Sequence, residues 1–125
     1  MKTVLIIDDD DAVRESLMAF FEDRGWRALP AVSGEAALEI LARERPDGAV
    51  VDIRLPGMDG NAFVRQAIRN QSSLAYIIVT GSPEYQLPED IMIMSRVSGN
   101  VFAKPVIELD RIEKALLHQI NQDTA

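Results

Sequence analysis

Acidic side chains stand directly after two apolar runs of this 125-residue chain. Asp8 and Asp9 follow the run at residues 4–7, and Asp52 follows the run at residues 49–51. Carboxylates that are packed together repel one another and need a cation. Oxygen ligands without His or Cys suit Mg²⁺, which commonly binds through one or two carboxylates, several waters and a phosphate. The pattern therefore predicts a magnesium site, provided that the fold brings the two runs together.

Two other polar side chains end later apolar runs. Thr80 follows residues 75–79, and Lys104 follows residues 101–103. A carboxylate beside Mg²⁺ can attack a phosphoryl group and form an aspartyl phosphate. A hydroxyl donor and an ammonium group aimed at the equatorial oxygens stabilise the transferred group. Together these residue types make a consistent set for phosphoryl transfer: a nucleophile, metal ligands, a donor and a cation.

The elements that must position these residues alternate between short apolar runs and amphipathic stretches. We expect strands at residues 2–7, 26–31, 48–52, 75–79 and 101–103, each followed by a helix. Pro30 suggests an edge position for the second strand, and Ser33 is the expected N-cap of the second helix. Strands that alternate with helices of about ten to fifteen residues imply a parallel sheet with helices on both faces. The sequence thus predicts one α/β domain over residues 1–125, with a doubly wound five-stranded parallel sheet and five helices.

The carboxyl ends of the strands are where this fold class binds ligands. Asp8 and Asp9 end the first expected strand, and Asp52 ends the third. Thr80 ends the fourth and Lys104 the fifth. We therefore expect all five side chains to lie at one edge of the sheet.

Charge and composition exclude several classes of function. The formal net charge is -7, which argues against direct binding of nucleic acid or of an anionic membrane, because a phosphate backbone needs a basic patch. The sequence contains no cysteine, which excludes thiol chemistry, thiolate metal sites and disulfides. No apolar segment approaches membrane-spanning length. A cytoplasmic location is the expectation that accords with these features.

The chain resembles the receiver domain of response regulators in two-component signalling, from residue 4 to about residue 120. The resemblance rests on four motifs: Asp8-Asp9, Asp52 followed by Leu55-Pro56-Gly57-Met58-Asp59-Gly60, Thr80-Gly81, and Lys104-Pro105. It implies a flavodoxin-like strand order of 2-1-3-4-5. The stretches at residues 52–60 and 79–81 are most similar to receivers of sigma-54 activators.

The resemblance also implies a role for each site residue. It implies that Asp52 is the phospho-acceptor, that Thr80 is the switch hydroxyl and that Lys104 contacts the phosphate. It implies that Asp9 binds Mg²⁺ directly and that Asp8 binds it through water. The backbone carbonyl of Arg54 is implied to be a further ligand. The Lys104–Pro105 peptide bond is implied to be cis. A histidine kinase or a phosphotransfer protein is the implied phosphoryl donor. The fourth helix, fifth strand and fifth helix are the implied surface for an output domain or a homodimer.

The sequence departs from the receiver pattern beside the fifth strand. Receivers usually carry Tyr or Phe three residues before the lysine, and that position here is Val101. Phe102 is adjacent, but neighbouring strand residues point to opposite faces. Residues 98–100 also replace the small turn that usually precedes this strand. The aromatic half of the usual switch is therefore missing from its usual place.

Two other functions fit parts of the pattern. A haloacid-dehalogenase-like phosphatase would use Asp8 and Asp10, although Ala12 stands where that motif wants Thr or Val, and Asp52 would have no role. A receiver-like interaction module that never uses phosphate would explain Val101. Taken singly, the acids could be helix caps or turn residues, and Lys104 could be a solvated surface residue. Their joint order along the chain favours the phosphorylated switch.

Overall fold

Five parallel strands form the framework of the fold: β1 (Thr3–Ile7), β2 (Arg27–Ala31), β3 (Gly48–Asp52), β4 (Ala75–Thr80) and β5 (Val97–Ala103). The computed structural model describes residues 1–94, 96–105 and 108–121. The strands make one sheet in the order β2-β1-β3-β4-β5, and each neighbouring pair is parallel. The predicted α/β class and strand order are confirmed. β2 lies at an edge, as Pro30 suggested.

Five helices follow the strands: α1 (Asp11–Asp23), α2 (Gly34–Leu41), α3 (Gly60–Asn70), α4 (Glu89–Met92) and α5 (Leu109–Asn121). The first three begin at an acidic or hydroxyl cap. The side chains of Asp10, Ser33 and Asp59 each accept a hydrogen bond from the backbone N–H three residues ahead. The capping role predicted for Ser33 is confirmed, and Asp10 is the residue that caps α1.

The sheet is buried on both faces, because helices cover each side. A first core joins the sheet to α2, α3 and α4 through residues such as Ala37, Phe63 and Ile91. A second core joins the other face to α1 and α5 through residues such as Phe21 and Leu116. Central strands that are buried on both faces read as continuous apolar runs, which is why the runs were visible in the sequence.

The fifth strand is longer than the sequence suggested. β5 covers Val97–Ala103, whereas only residues 101–103 were expected. The added part includes Gly99 and Asn100, which have low strand propensity, and the pairing with β4 shifts register between Tyr76 and Ile78. Partners across the sheet therefore extend a strand that local propensity ends early.

The fourth helix is a single turn. α4 begins after Pro88, which supplies no side-chain cap, and its buried residue is Ile91. The acidic residues Glu89 and Asp90 stand in its first turn, as expected for a helix N-terminus. Within the described residues, no helix is long and apolar enough to cross a membrane.

Candidate functional site

The sheet brings the predicted acids together at the carboxyl ends of β1 and β3. Carboxylate oxygens of Asp8, Asp9 and Asp52 all lie within 4.8 Å of one another. Asp8 and Asp52 are buried, whereas Asp9 is exposed at the rim. The register explains the meeting, since Ile7 of β1 is paired with Val51 of β3. Residues that follow these two positions must therefore emerge side by side.

Lys104 joins the two buried acids. Its Nζ lies 2.7 Å from Asp8 Oδ2 and 3.1 Å from Asp52 Oδ2. The side chain of Lys104 is only 18 % exposed, so both ion pairs are largely shielded from water. The Lys104–Pro105 peptide bond is cis, which confirms the prediction for that bond.

Backbone N–H groups hold the second oxygen of each buried carboxylate. Asp8 Oδ1 accepts from the N–H of Asp10 at 2.9 Å, and Asp52 Oδ1 accepts from the N–H of Arg54 at 3.2 Å. Each acid thus has one oxygen on the backbone and the other on Lys104. This arrangement fixes both carboxylate orientations, because the two oxygens of each group are restrained from opposite sides.

Burial controls the charges of the site. Burial raises the pKa of the Asp52 carboxyl, and the neighbouring Asp8 charge raises it further, against the hydrogen bond and charge of Lys104. For Lys104, burial lowers the pKa, but hydrogen bonds to Asp8 and Asp52 outweigh it and leave the pKa raised. Lys104 therefore remains an ammonium group that neutralises part of the crowded negative charge.

Thr80 lies at the end of β4, next to the position of Lys104. Its hydroxyl Oγ1 accepts from the N–H of Ser82 at 3.0 Å. Its backbone carbonyl accepts from the N–H of Lys104 at 2.9 Å. Thr80 is buried, and its hydroxyl in this state supports the turn that follows β4 rather than a group in the acid cluster. The switch role of Thr80 stays a prediction.

The loop after Asp52 is closed by a glycine. The N–H of Gly60 donates to the carbonyl of Ile53 at 3.0 Å. A Cβ atom on Gly60 would lie 2.6 Å from the carbonyl oxygen of Asp52, which is too close for a real contact. A glycine at residue 60 therefore lets the start of α3 approach the backbone of the predicted phosphorylation residue.

Glu35 also supports this loop, a contact that the sequence analysis did not predict. The exposed Glu35 side chain, in the first turn of α2, accepts from the N–H of Met58 at 3.1 Å through Oε2. A Cβ atom on Gly57 would lie 2.8 Å from the same oxygen, and the φ of +72° places Gly57 in the left-handed region. The contact depends on how α2 packs beside the β3–α3 loop, and local sequence patterns carry no signal for such a contact.

The side chains of Asp10 and Arg54 lie outside the acid cluster. Asp10 is exposed and caps α1 through a 3.2 Å hydrogen bond from the N–H of Val13. Arg54 contributes its backbone N–H to Asp52 and has an exposed side chain. The proposed ligand role of the Arg54 carbonyl stays a prediction.

Val101 and Phe102 point to opposite faces of the sheet, as their adjacency predicted. Val101 packs against the first core, on the side of α3 and α4. Phe102 packs against the second core, on the side of α1 and α5. Phe102 therefore does not supply an aromatic ring on the face of the sheet where Val101 lies.

The acid cluster fits a small divalent cation. Its donors are all carboxylate oxygens, the ligand type that Mg²⁺ prefers over nitrogen or sulfur. Mg²⁺–oxygen distances of about 2.1 Å place opposite ligands about 4.2 Å apart, close to the spread of these oxygens. Asp8, Asp9 and Asp52 are therefore the residues that could hold such an ion.

Comparison with known families decides the class to which this site belongs. Residues 4–116 match the family model described as the response regulator receiver domain. The chain belongs to the receiver domain family of response regulators. In this receiver, the acid cluster and Lys104 lie together at the carboxyl edge of the sheet.

Two curated relatives and one solved structure illustrate the similarity. The receiver is 39 % identical to Response regulator MprA of Mycobacterium leprae over 124 residues, covering 98 % of this chain and 54 % of MprA. It is 30 % identical to Sporulation initiation phosphotransferase F of Bacillus subtilis over 113 residues, covering 90 % of this chain and 89 % of that protein. A CheY-like receiver domain protein from Methanospirillum hungatei superposes with a TM-score of 0.76 at 28 % identity, covering 94 % of each chain.

These relatives bear on the subfamily expected from the sequence. The finer similarity to receivers of sigma-54 activators finds no support among them. The receiver spans 54 % of MprA and only 35 % of another curated regulator that it matches.

Proposed function

We propose that this receiver is a signalling switch that accepts a phosphoryl group on Asp52 with the help of Mg²⁺. The observation that carries the proposal is the position of the Asp52 carboxylate. It is buried at the end of β3, grouped with Asp8 and Asp9, and contacted by Lys104 at 3.1 Å. Burial and the neighbouring Asp8 both disfavour the ionised form of Asp52. A phosphoryl group with a bound cation would change the charges around this side chain.

The chemistry is a displacement at phosphorus. An oxygen of Asp52 forms the new O–P bond while the bond from phosphorus to the donor's leaving atom breaks, and the leaving group takes the bonding electron pair. Asp8, Asp9 and Asp52, with the Arg54 carbonyl, are the proposed Mg²⁺ ligands. The cation would supply neutralisation of the charge on the phosphoryl oxygens.

Two side chains are proposed to receive the transferred group. The ammonium of Lys104 already spans Asp8 and Asp52, so a short movement would bring it to a phosphoryl oxygen on Asp52. The Thr80 hydroxyl ends the neighbouring strand, since Asp52 of β3 is in register with Val79 of β4. Thr80 would donate its hydroxyl proton to the same group.

The proposed donor is a histidine kinase or a phosphotransfer protein. The transfer would break the N–P bond of a phosphohistidine and form the acyl phosphate of Asp52.

The surface made by α4, β5 and α5 is proposed for an output domain or a second copy. A formal net charge of -7 supports protein partners rather than direct contact with nucleic acid or an anionic membrane. We further propose a receiver spanning residues 1–125 that acts in the cytoplasm and catalyses only its own phosphorylation and dephosphorylation.

Mass spectrometry of the intact protein tests the site. Treatment with acetyl phosphate and Mg²⁺ should add one phosphoryl group to the wild type and none to Asp52→Asn. Asp59→Asn is a matched control, because Asp59 is a nearby acid that caps α3 and asparagine also caps well. An adduct that persists in Asp52→Asn would contradict the assignment. Wild type that stays unlabelled would favour an interaction module that never uses phosphate.

A phosphatase of the haloacid-dehalogenase type is less compatible with the geometry. That reaction would need Asp10 as a mobile acid, whereas Asp10 is engaged as the cap of α1. Hydrolysis of p-nitrophenyl phosphate with Mg²⁺ separates the two functions. Turnover lost in Asp8→Asn and kept in Asp52→Asn would establish the phosphatase instead of the switch.

A further inference from the structure

The segment between β4 and α4 is connected to the Thr80 hydroxyl by successive hydrogen bonds. The N–H of Ser82 donates to Thr80 Oγ1 at 3.0 Å. The N–H of Tyr85 then donates to the carbonyl of Ser82 at 3.2 Å. The phenol of Tyr85 donates to Asn61 Oδ1 at 2.7 Å. This path leads from the end of β4 to the first turn of α3 in three bonds.

Tyr85 occupies the side of the sheet on which Val101 lies. Both side chains pack against the first core, whereas Phe102 packs against the second. Tyr85 is therefore a ring on this face whose position depends on the β4–α4 loop. Valine at residue 101 has few χ1 choices and little reach, so it is a poor reporter of events at the site.

The phenol of Tyr85 is held as a neutral donor. Burial raises the pKa of Tyr85, and the charge of Arg65 only partly offsets this effect. The bond of 2.7 Å has the ordinary length for a hydroxyl donor. A half-buried ring with a satisfied hydroxyl therefore has one defined position in the present state.

A second link between α3 and the start of α4 does not pass through the loop. Arg65 donates to Asp90 through Nε at 2.7 Å and through Nη2 at 3.0 Å. The side chains of Arg65 and Asp90 are 41 % and 53 % exposed, so this pair contributes little to stability by itself. It joins α3 to the first turn of α4 independently of the hydrogen-bond path through Ser82 and Tyr85.

We infer that Tyr85 is the side chain through which this receiver reports the state of Thr80, in place of the ring that Val101 lacks. The inference rests on the proposed function, because it requires a phosphoryl group on Asp52. When Thr80 turns its hydroxyl toward that group, the bond from the Ser82 N–H is lost. The turn from Ser82 to Tyr85 then shifts, and the bond between Tyr85 and Asn61 opens.

The two tyrosines of the chain make a direct test possible. Protein with ring-¹³C tyrosine gives one set of ring signals from Tyr85 and one from Tyr76, which is fully buried in β4 and serves as an internal reference. Tyr85→Phe assigns the two sets. With Mg²⁺ and acetyl phosphate, the Tyr85 signals should shift while those of Tyr76 stay in place. Intact mass of the same sample reports whether the phosphoryl group is present.

Three variants and one control variant test the path. Compared at equal adduct fractions in the intact mass, phosphorylated Thr80→Ala should lack the Tyr85 shift, whereas phosphorylated Thr80→Ser, which retains the hydroxyl, should show it. Asn61→Ala should move the Tyr85 signals of the unphosphorylated protein toward the phosphorylated position. Asn70→Ala, at the exposed far end of the same helix, should leave them unchanged.

The outcomes separate this inference from the proposed function. A wild type that gains the phosphoryl group without any shift of Tyr85 would overturn the inference and leave the function standing. An undiminished shift in Thr80→Ala would also overturn it, as would equal spectra for Asn61→Ala and Asn70→Ala. Failure to gain a phosphoryl group at all would instead overturn the proposed function.

Discussion

The ammonium group of Lys104 lies closer to Asp8 than to the predicted phosphorylation residue. The two distances are 2.7 Å to Asp8 Oδ2 and 3.1 Å to Asp52 Oδ2. Lys104 therefore serves first as the counter-ion of two buried acids that would otherwise repel each other. Any cation or phosphoryl group that enters the site must rearrange these two ion pairs.

Removal of the Lys104 charge should destabilise the receiver when no Mg²⁺ is present. Loss of one partner leaves buried charge uncompensated, which costs about 3 kcal/mol in comparable buried pairs. Lys104→Met should lower the free energy of unfolding in urea by about that amount, and Mg²⁺ should restore much of the loss. Lys114→Met, on the exposed face of α5, is the control and should change stability by less than about 0.5 kcal/mol. Equal stability of the two variants without Mg²⁺ would contradict this account of Lys104.

Asp52→Asn should stabilise the receiver in the absence of Mg²⁺. Burial and then the Asp8 charge raise the pKa of Asp52, so the ionised carboxylate is less favourable in the folded than in the unfolded state. The stability that this group contributes is complete below its unfolded pKa and is lost as the pH rises through its folded pKa. At pH 7 asparagine removes that loss, and substitutions of this kind commonly gain about 0.5–2 kcal/mol. Urea unfolding with EDTA measures the gain, and a lower stability of Asp52→Asn would refute the argument.

Mg²⁺ should raise the melting temperature of the wild type, and Asp9 should be needed for the rise. A ligand that binds the folded state stabilises it by RT ln(1 + [L]/Kd), on the order of 1–3 kcal/mol at saturating metal. Thermal unfolding with and without Mg²⁺ should show the increase in wild type and little in Asp9→Ala. Asp11→Ala is the control, because Asp11 is an exposed acid two residues away that pairs with Arg14. Equal responses of the two variants would remove Asp9 from the site.

Gly60→Ala should disturb the loop that carries the site. The new Cβ would lie 2.6 Å from the Asp52 carbonyl oxygen and 2.8 Å from Ile53 Cα, so the backbone must shift. Overpacking of this kind typically costs about 1–3 kcal/mol. Gly81→Ala is the control, since a Cβ there meets nothing within 4 Å. Urea unfolding should show a clear loss for Gly60→Ala alone, and matching curves would contradict the close approach.

Alkaline pH should destabilise the receiver through Tyr76. Burial raises the pKa of Tyr76, and the charge of Arg96 only partly opposes the shift. The stability contribution of this phenol is therefore complete below the unfolded value of about 10 and is lost as the pH rises above it. The free energy of unfolding should fall above about pH 10, and the fall should be shallower in Tyr76→Phe than in Tyr85→Phe. Identical pH profiles for the two variants would argue against the burial of the Tyr76 hydroxyl.

The sequence by itself determined the order of the elements and the positions of the chemical groups. Apolar runs buried on both faces are continuous in sequence, and the polar residue that ends each run marks the carboxyl end of a strand. The sequence therefore places Asp52 and Thr80 at one edge of the sheet. These signals are local, because each depends only on the periodicity of a few neighbouring residues.

The tertiary structure alone decided which groups touch. The preference of Lys104 for Asp8, the support of Met58 by Glu35 and the bond from Tyr85 to Asn61 all join residues that are far apart in sequence. Such contacts depend on how the helices pack on the sheet and on side-chain rotamers, neither of which leaves a periodic pattern. The length of β5 has the same origin, since Val97 pairs with Tyr76 of β4 on the far side of the irregularity that contains Gly99.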